Sequence, residues 1–228
     1  MITSISDLDI YLLYYLDIKS IMSVAAITKD QNVLIFDLDF IKELRIVREY
    51  SYKNIIGSPY KNIIDCAAGK NYLSLIKWMA ESTNKFKYKY AIDNAAENGN
   101  IEILEWFKNS GYEFKYTRDA INFASYKGNI KTLEWFKNSG YEFKYSSFAI
   151  NNASSNGHIN ILNWFNKSSY EFIYTQNAID LASRNGHVHI LDWFLQSSYE
   201  FKYRYAKIWA SKNNHEHILE WFKTNKKS

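Results

Sequence analysis

The chain has 228 residues, of which 47% are hydrophobic and 23% charged, so it can bury a core and is not a disordered polymer. The net charge of +4 is too small to indicate nucleic-acid or membrane binding by itself, and no apolar run approaches the ~20 residues of a membrane helix. The single cysteine, Cys66, excludes an intrachain disulfide, and its apolar context favours core packing over catalysis. We therefore expect an intracellular, cytoplasmic protein.

Residues 1–45 lack the periodicity of the rest of the chain and form a compact apolar set interrupted by the sequence LDIKS. Their opening has two aspartates and no basic residue before Lys19, which is not typical of a signal peptide. An amphipathic helix, a Tyr-Leu-Asp turn and a second helix ending in lysine resemble an F-box. The resemblance implies that a Skp1-type subunit of a ubiquitin ligase binds Leu16, Asp17, Ile18, Ile21, Val24 and Lys29.

This N-terminal segment also departs from the F-box pattern. The Leu-Pro opening is missing, and Phe36 or Phe40 stands where the motif usually ends in tryptophan. The alternative interpretation is a small helical cap that shields the first repeat, and one segment could serve both roles. Residues 46–59 are interpreted as a linker that ends at Gly57-Ser58-Pro59.

Residues 60–228 repeat themselves. The sequence LEWFKNSGYEFKY occurs at 104–116 and again, unchanged, at 133–145. A period of this kind predicts a solenoid, in which identical layers cover each other's apolar faces. We predict about six units, approximately 60–87, 88–116, 117–145, 146–174, 175–203 and 204–228. The period is marked by six repeat tryptophans, separated by 28, 29, 29, 29 and 28 residues: Trp78, Trp106, Trp135, Trp164, Trp193 and Trp221.

Each unit is predicted to hold two short helices and an extended return. In the third unit, Ala120, Ile121, Phe123 and Ala124 favour a first helix that stops at Gly128, where glycine allows a left-handed C-cap. A second helix carries the repeat tryptophan, and an Asn or His precedes it as the expected N-cap. The segment YEFKY then alternates, with aromatic side chains inward and charged ones outward. Expected N-caps of first helices are Thr117, Ser146 and Thr175, and close helix packing is predicted at Ala67, Ala95, Ala124, Ala153, Ala182 and Ala210.

The unit resembles an ankyrin repeat. The sequence AIDLASRNGH at 178–187 is similar to the first helix and the Gly-His turn of that family, and ILDWFLQSS resembles the second helix. Ankyrin repeats are about 33 residues long, and the residues missing here fall where the family forms projecting β-hairpin fingers. This short, aromatic-rich version resembles ankyrin-type proteins encoded by giant viruses of amoebae. The resemblance implies an all-α solenoid, preceded by a small helical segment, that binds a target protein.

Residues that could take part in catalysis or metal binding are interpreted as structural. The pairs His187/His189 and His215/His217 are spaced i, i+2, which is expected to point their rings to different sides, and no His-x-x-x-His accompanies them. No phosphate loop or Ser-His-Asp context is present either. We therefore expect no metal, no cofactor and no enzymatic activity. Glutamates that recur once per layer are interpreted as a solvated ladder rather than a catalytic pair: Glu105, Glu134, Glu113, Glu142, Glu171 and Glu200.

Variation between layers locates the expected target-binding residues, because positions that pack must repeat whereas free positions can specialise. Two positions, nine and seventeen residues before each repeat tryptophan, change their chemistry from layer to layer. In the ankyrin resemblance they line the concave, partner-facing side, with Tyr126 as the anchor between Arg118 and Arg184; alternatively, they are merely tolerant surface positions. The ten candidates are Lys89, Glu97, Arg118, Tyr126, Ser147, Ser155, Gln176, Arg184, Arg204 and Lys212.

Three functions remain open from the sequence: an adaptor between a target and a Skp1-type subunit, a binding module alone, and a weaker third, a nucleic-acid binder. The third is disfavoured because most aromatic residues alternate toward the core, so no nucleic-acid or membrane partner is expected. In the last unit Lys207 replaces the isoleucine of the earlier layers. Terminal repeats need a polar outer face, so we expect the array to end here and the protein to be a monomer.

Overall fold

The structure, a computed structural model, describes residues 63–82 and 86–225, and all their regular secondary structure is helical. Twelve helices of seven to ten residues lie in these ranges. None of them is long and apolar enough to cross a membrane. They are α1 (Ile63–Gly69), α2 (Leu73–Ser82), α3 (Ala91–Asn98), α4 (Ile101–Asn109), α5 (Asp119–Lys127), α6 (Ile130–Asn138), α7 (Ser147–Ser155), α8 (Ile159–Lys167), α9 (Asn177–Arg184), α10 (Val188–Gln196), α11 (Ala206–Lys212) and α12 (Glu216–Thr224).

The helices form six pairs, each of which we call a layer, and contacts run between successive layers. The odd-numbered first helices pack extensively against one another, and the even-numbered second helices from α4 onward also follow one another in contact. This arrangement confirms the predicted all-α repeat solenoid. The recurring alanine of the first helices is fully buried in every layer, from Ala67 to Ala210, which explains how these helices approach closely.

The predicted N-terminal features lie outside the described residues. This holds for the F-box-like or capping segment 1–45, for the linker 46–59 and for the Skp1-type binding surface, whose residues are Leu16, Asp17, Ile18, Ile21, Val24 and Lys29.

The turn inside each layer has the predicted left-handed conformation. Gly128 has φ = 74°, and Asn71 and Asn214 hold the same region at 63° and 58° in the outer layers. The predicted side-chain N-cap after this glycine is wrong, since Asn129 and His158 make no capping hydrogen bond to their own helix. The carbonyls at the end of a helix lack partners within it. Asn129 Nδ2 therefore donates to Glu97 O in the preceding layer at 2.6 Å, and His158 Nε2 lies 2.9 Å from Tyr126 O.

Substituting two glycines, one in this turn and one after the second helix, should lower the free energy of unfolding by different amounts. A Cβ on Gly128 would lie 2.9 Å from His158 Nδ1, whereas a Cβ on Gly140, also left-handed at φ = 86°, would meet nothing within 4 Å. Gly140→Ala should cost about 1 kcal/mol, the penalty for an L-residue in this conformation. We expect Gly128→Ala to cost clearly more in urea unfolding, because the imidazole must also move. Equal losses would show that the close approach is unimportant.

Of the three predicted N-caps of first helices, Ser146 holds that position, whereas Thr117 and Thr175 stand one residue before it. Ser146 caps α7 through a hydrogen bond from Phe148 N at 3.3 Å. Thr117 Oγ1 likewise accepts from Asp119 N at 3.1 Å, although α5 begins one residue later relative to its threonine. Thr175 does the same for the N–H of the first residue of α9. The hydroxyls therefore satisfy helix-start donors in all three layers.

Four repeat tryptophans, from Trp135 to Trp221, form a ladder in which each indole donates to an acceptor in the preceding layer. Trp135 Nε1 donates to Glu105 Oε1 at 2.5 Å, and Trp164 Nε1 donates to Glu134 Oε1 at the same distance. Glu105 is exposed, as expected of a solvated glutamate, whereas Glu134 is half-buried, and both carboxylates also accept from an indole of the next layer, which was not expected. The acceptor stands one residue before the tryptophan of its own layer. Its later members are Asn163 for Trp193 and Asp192 for Trp221, at 2.7 and 2.6 Å.

The YEFKY segments pack as predicted, with aromatic side chains inward. The Phe114 ring stacks on Tyr141 of the next layer at 4.1 Å between centroids, and Tyr116 OH donates to Glu142 O at 2.5 Å. Glu113 and Lys115 are exposed and form an ion pair of 3.1 Å. The solvated interpretation thus holds for the exposed Glu113, Glu142, Glu171 and Glu200, and all but Glu171 pair with a lysine two residues later.

A buried acceptor in the first helices holds the start of the next layer, a contact that the sequence reasoning missed. Asp93 accepts from Thr117 N at 2.8 Å and from its hydroxyl at 3.1 Å. Asn122 bonds the N–H and the hydroxyl of Ser146 with the two ends of its amide, both at 3.1 Å. A buried N–H without a partner is costly, so these contacts help to set the stacking. The acceptors, at most 4% exposed, are Asp65, Asp93, Asn122, Asn151 and Asp180.

The two 28-residue steps coincide with a shortened junction between layers. At Lys89-Tyr90 and at Arg204-Tyr205, two residues replace the three that include a Ser or Thr cap. Asp65 and Asp180 there accept both backbone N–H groups, at 3.0 Å in the first junction and 2.9 Å in the second. A carboxylate oxygen can accept two such bonds without any hydroxyl partner. The shortening leaves Tyr90 and Tyr205 exposed.

The last layer carries the polar replacement that the sequence predicts. Ile121, Ile150 and their equivalents are fully buried, whereas Lys207 at this position is exposed. The adjacent Ile208 replaces the buried acceptor and is also exposed. In each earlier layer, a buried isoleucine and a buried acceptor occupy these two positions, and the acceptor bonds the start of the next layer. The α11–α12 pair lacks both of these side chains.

Candidate interaction surface

The first helices expose one face, defined here by the residues nine, twelve and sixteen positions before each repeat tryptophan. These positions are spaced i, i+4, i+7 and therefore share one side of a helix, as with Tyr90, Asn94 and Glu97 on α3. We call this side the first-helix face. Of the ten predicted target-binding residues, three are half-buried, namely Glu97, Ser147 and Ser155, and seven are exposed: Lys89, Arg118, Tyr126, Gln176, Arg184, Arg204 and Lys212.

Two of the half-buried candidates contribute to contacts between layers. Glu97 Oε1 lies 3.7 Å from Lys127 Nζ of the next layer. Asn185 Nδ2 donates to Ser155 O at 2.6 Å and lies 3.1 Å from its Oγ. Part of the variation at this position therefore reflects changing contacts between neighbours rather than freedom to bind a target.

Aromatic residues that were not among the predicted target-binding residues lie on this face. Phe123 was counted only among the apolar residues that favour the first helix, yet 41% of it is exposed, on the same helix face as Tyr126 at 42%. Phe148 at the start of α7 is 59% exposed. The signal was the i, i+3 spacing of Phe123 and Tyr126, since Tyr126 was already assigned to the surface. The predicted arrangement around Tyr126 also differs: its ring has Lys127 Nζ at 5.8 Å, while Arg184 lies against Trp209.

An Arg–aromatic cluster, formed by Arg184, Trp209, Tyr205 and Arg204, joins α9 to α11. The Arg184 guanidinium lies 5.8 Å from the centroid of the Trp209 ring. Trp209 stacks on Tyr205 at 5.8 Å between centroids and 24° between planes. The Arg204 guanidinium lies 4.9 Å from the Tyr205 ring. Both arginines and Tyr205 are exposed, so the cluster is open to solvent.

The first-helix face and the start of its helices are predominantly basic. Among the described residues, the only acidic side chains in this set are Glu97 and Asp119, and Glu97 is paired with Lys127. The basic side chains are Lys89, Arg118, Arg184, Arg204 and Lys212. The local excess of positive charge attracts anionic groups, an effect that the small net charge of the whole chain does not reveal.

The histidines form a column beside the turns rather than a metal centre. The expectation that paired rings point to different sides is wrong, since the His187 and His189 centroids are 5.6 Å apart, as are those of His215 and His217. Burial, followed by the neighbouring His189, lowers the pKa of His187. His189 Nε2 lies 3.0 Å from Gly157 O, a contact between layers. Within the described residues, no three His, Cys, Asp or Glu side chains are grouped to hold a metal ion.

A shallow groove of about 400 Å³ lies between the second helices α6 and α8. Its polar lining includes Glu134 and Trp164, which already bond each other in the tryptophan ladder. This side therefore offers fewer uncommitted groups than the first-helix face.

No model of a protein family matches the chain, and no curated protein matches it in sequence.

Proposed function

We propose that the protein is a scaffold for protein–protein interaction and that its first-helix face binds a target protein. The observation that carries the proposal is the exposure of Phe123, Tyr126 and Phe148 at positions that the stacking of layers does not use. Exposed aromatic side chains on a surface are typical anchors of protein interfaces. The resemblance of the unit to ankyrin repeats supports the same side, because that family binds partners there.

The repeated ladders support binding rather than chemistry. Trp135 to Glu105 and Thr117 to Asp93 fix neighbouring layers, so side chains on the face need little ordering when a partner arrives. We propose no catalytic role, cofactor or metal. The single cysteine favours action inside a cell, and the resemblance to proteins of amoeba viruses would make the target a host protein of the cytoplasm.

The N-terminal segment extends this proposal to an adaptor that recruits a Skp1-type subunit. The alternative is a binding module without a ubiquitin link, in which residues 1–45 only cap the array. Ile18→Asp with Ile21→Asp separates the two. Loss of Skp1 binding with unchanged helical circular dichroism supports the adaptor, whereas loss of the folded array favours the cap.

The main proposal is tested by capture of a target from host-cell lysate with the full chain. We expect Tyr126→Ala with Phe148→Ala to weaken capture about tenfold, as expected for interface anchors, with the melting temperature nearly unchanged. The matched control is Lys131→Ala with Lys167→Ala on the exposed sides of α6 and α8. If the control abolishes capture and the aromatic pair does not, the second-helix side binds and the proposal fails.

A further inference from the structure

Trp209 is the only tryptophan outside the repeat, and the packing of layers does not account for it. Its position, twelve residues before Trp221, is held in the four preceding layers by Asn94, Phe123, Asn152 and Leu181, so its chemistry changes from layer to layer. It is half-buried and lies in the centre of the Arg–aromatic cluster. Because Trp209 lies between an arginine and a tyrosine and is not needed for stacking, we expect it to have another role.

We propose that the Arg–aromatic cluster docks an acidic segment of the target protein, a stretch rich in Asp and Glu. This inference rests on the proposed function, because it names the chemistry of the partner. A guanidinium presents its N–H donors in a planar fork that matches a carboxylate. Stacking against Trp209 and Tyr205 restrains the planes of Arg184 and Arg204, so fewer orientations are lost when a carboxylate binds.

The two arginines of the cluster form no ion pair within the described part of the chain, although the buried Asp180 carboxylate accepts from the backbone N–H of Arg204. None of the ion pairs in that part of the chain involves Lys212 either. Helix α11, with the sequence AKIWASK, contains no acidic residue. Two lysines also lie beside aromatic rings of this face: Lys89 is 4.9 Å from the Tyr90 ring on α3, and Lys127, beside Tyr126, already faces Glu97. Charge complementarity therefore favours an anionic partner at α9 and α11 over one at α5.

The geometry favours carboxylates over nucleobases. Single-stranded nucleic acids bind through bases that stack on bare aromatic faces. In the cluster the two rings stack on each other, and each has a guanidinium within 6 Å of its centroid. The groups that remain available are N–H donors, which carboxylates satisfy.

The test is selection from a randomised twelve-residue peptide library displayed on phage, with the full chain immobilised. We expect the selected peptides to be enriched in Asp and Glu relative to the starting library. Arg184→Glu with Arg204→Glu should remove that enrichment and weaken binding of a synthetic selected peptide at least tenfold in fluorescence anisotropy. The control, Lys131→Glu with Lys167→Glu, makes the same change in net charge on the second-helix side and should change binding less than twofold.

Each other outcome overturns the inference in a recognisable way. Peptides without acidic enrichment that still depend on Tyr126 and Phe148 contradict the cluster as an acidic docking site but leave the proposed function standing. Failure to select any peptide contradicts both. If both charge-reversed proteins lose peptide binding equally, the effect comes from net charge and not from the cluster. A twelve-nucleotide oligothymidylate is the competing ligand. If it binds more tightly than the acidic peptide and depends on the same arginines, the partner of the cluster is a nucleic acid and not a protein. Arg184→Gln with Arg204→Gln repeats the comparison if the reversed protein fails to fold.

Discussion

Trp135→Ala is expected to destabilise the protein by about 3–5 kcal/mol, the range for removing a large buried aromatic side chain. The indole is 9% exposed, and its ring stacks with Phe114 at 5.6 Å between centroids. It also donates a hydrogen bond to Glu105 in the preceding layer, so the substitution creates a cavity and leaves that carboxylate without its indole partner. Urea unfolding followed by circular dichroism measures the loss.

Trp209→Ala is the matched control for this substitution. Trp209 is half-buried and outside the ladder, so its loss should cost about 1 kcal/mol or less, as for surface positions. Trp135→Phe should fall between the two, because the ring still packs while the hydrogen bond to Glu105 is lost. A cost below about 1 kcal/mol for Trp135→Ala would contradict burial of the tryptophan ladder between layers.

Asp93→Asn is expected to stabilise the protein at neutral pH and to have little effect in acid. Burial raises the pKa of Asp93 from 3.8 to about 6, against the opposing hydrogen bonds from Thr117. A carboxyl with a raised pKa favours the folded state when protonated, and this contribution is lost as the pH rises through 4 to 6. With 1.36 kcal/mol per unit, the gain from asparagine above pH 6 is up to about 3 kcal/mol.

The chain itself supplies the geometry for this substitution. Asn151, at the same position, accepts from Thr175 N at 3.1 Å and donates to Thr175 Oγ1 at 2.9 Å. The asparagine at position 93 can make the same two bonds to Thr117. The reciprocal variant Asn122→Asp should acquire the pH dependence that Asp93→Asn removes. The comparison is the free energy of unfolding at pH 4 and pH 7.5; a wild type that becomes relatively more stable than Asp93→Asn at the higher pH would contradict it.

The architecture could be predicted from the sequence because the period repeats its own packing requirements. Tryptophan spacing located the layers, glycine located the left-handed turns, and Lys207 located the polar end of the array. These features depend on local backbone chemistry or on the need of every layer to meet the same neighbour. They are therefore visible without knowledge of long-range distances.

The contacts between layers could not be predicted because they join residues 24 to 36 positions apart. Glutamate at position 105 is typical of an exposed helix position, and only the position of the indole in the next layer makes it an acceptor. Asn129 and His158 stand at positions typical of N-caps, but their side chains form hydrogen bonds with carbonyls of the preceding layer instead. On the candidate surface, variation found Arg184 and Tyr126, whereas Phe123 was missed because an apolar helix residue is ordinarily assigned to the core.

Deletion of residues 117–145 tests the stacking of equivalent layers most directly. It removes α5 and α6 and joins Tyr116 to Ser146, which recreates the natural sequence YEFKYSSFAI. In the shortened chain Asp93 should accept from Ser146 and Glu105 from Trp164, because these residues take over the positions of Thr117 and Trp135. The control deletion, residues 117–129, removes α5 but leaves α6 without its first helix. We predict that the first deletion melts cooperatively with unchanged helicity per residue and that the second loses cooperative melting. Loss of cooperative melting in the first, or equal tolerance of both, would contradict a solenoid of interchangeable layers.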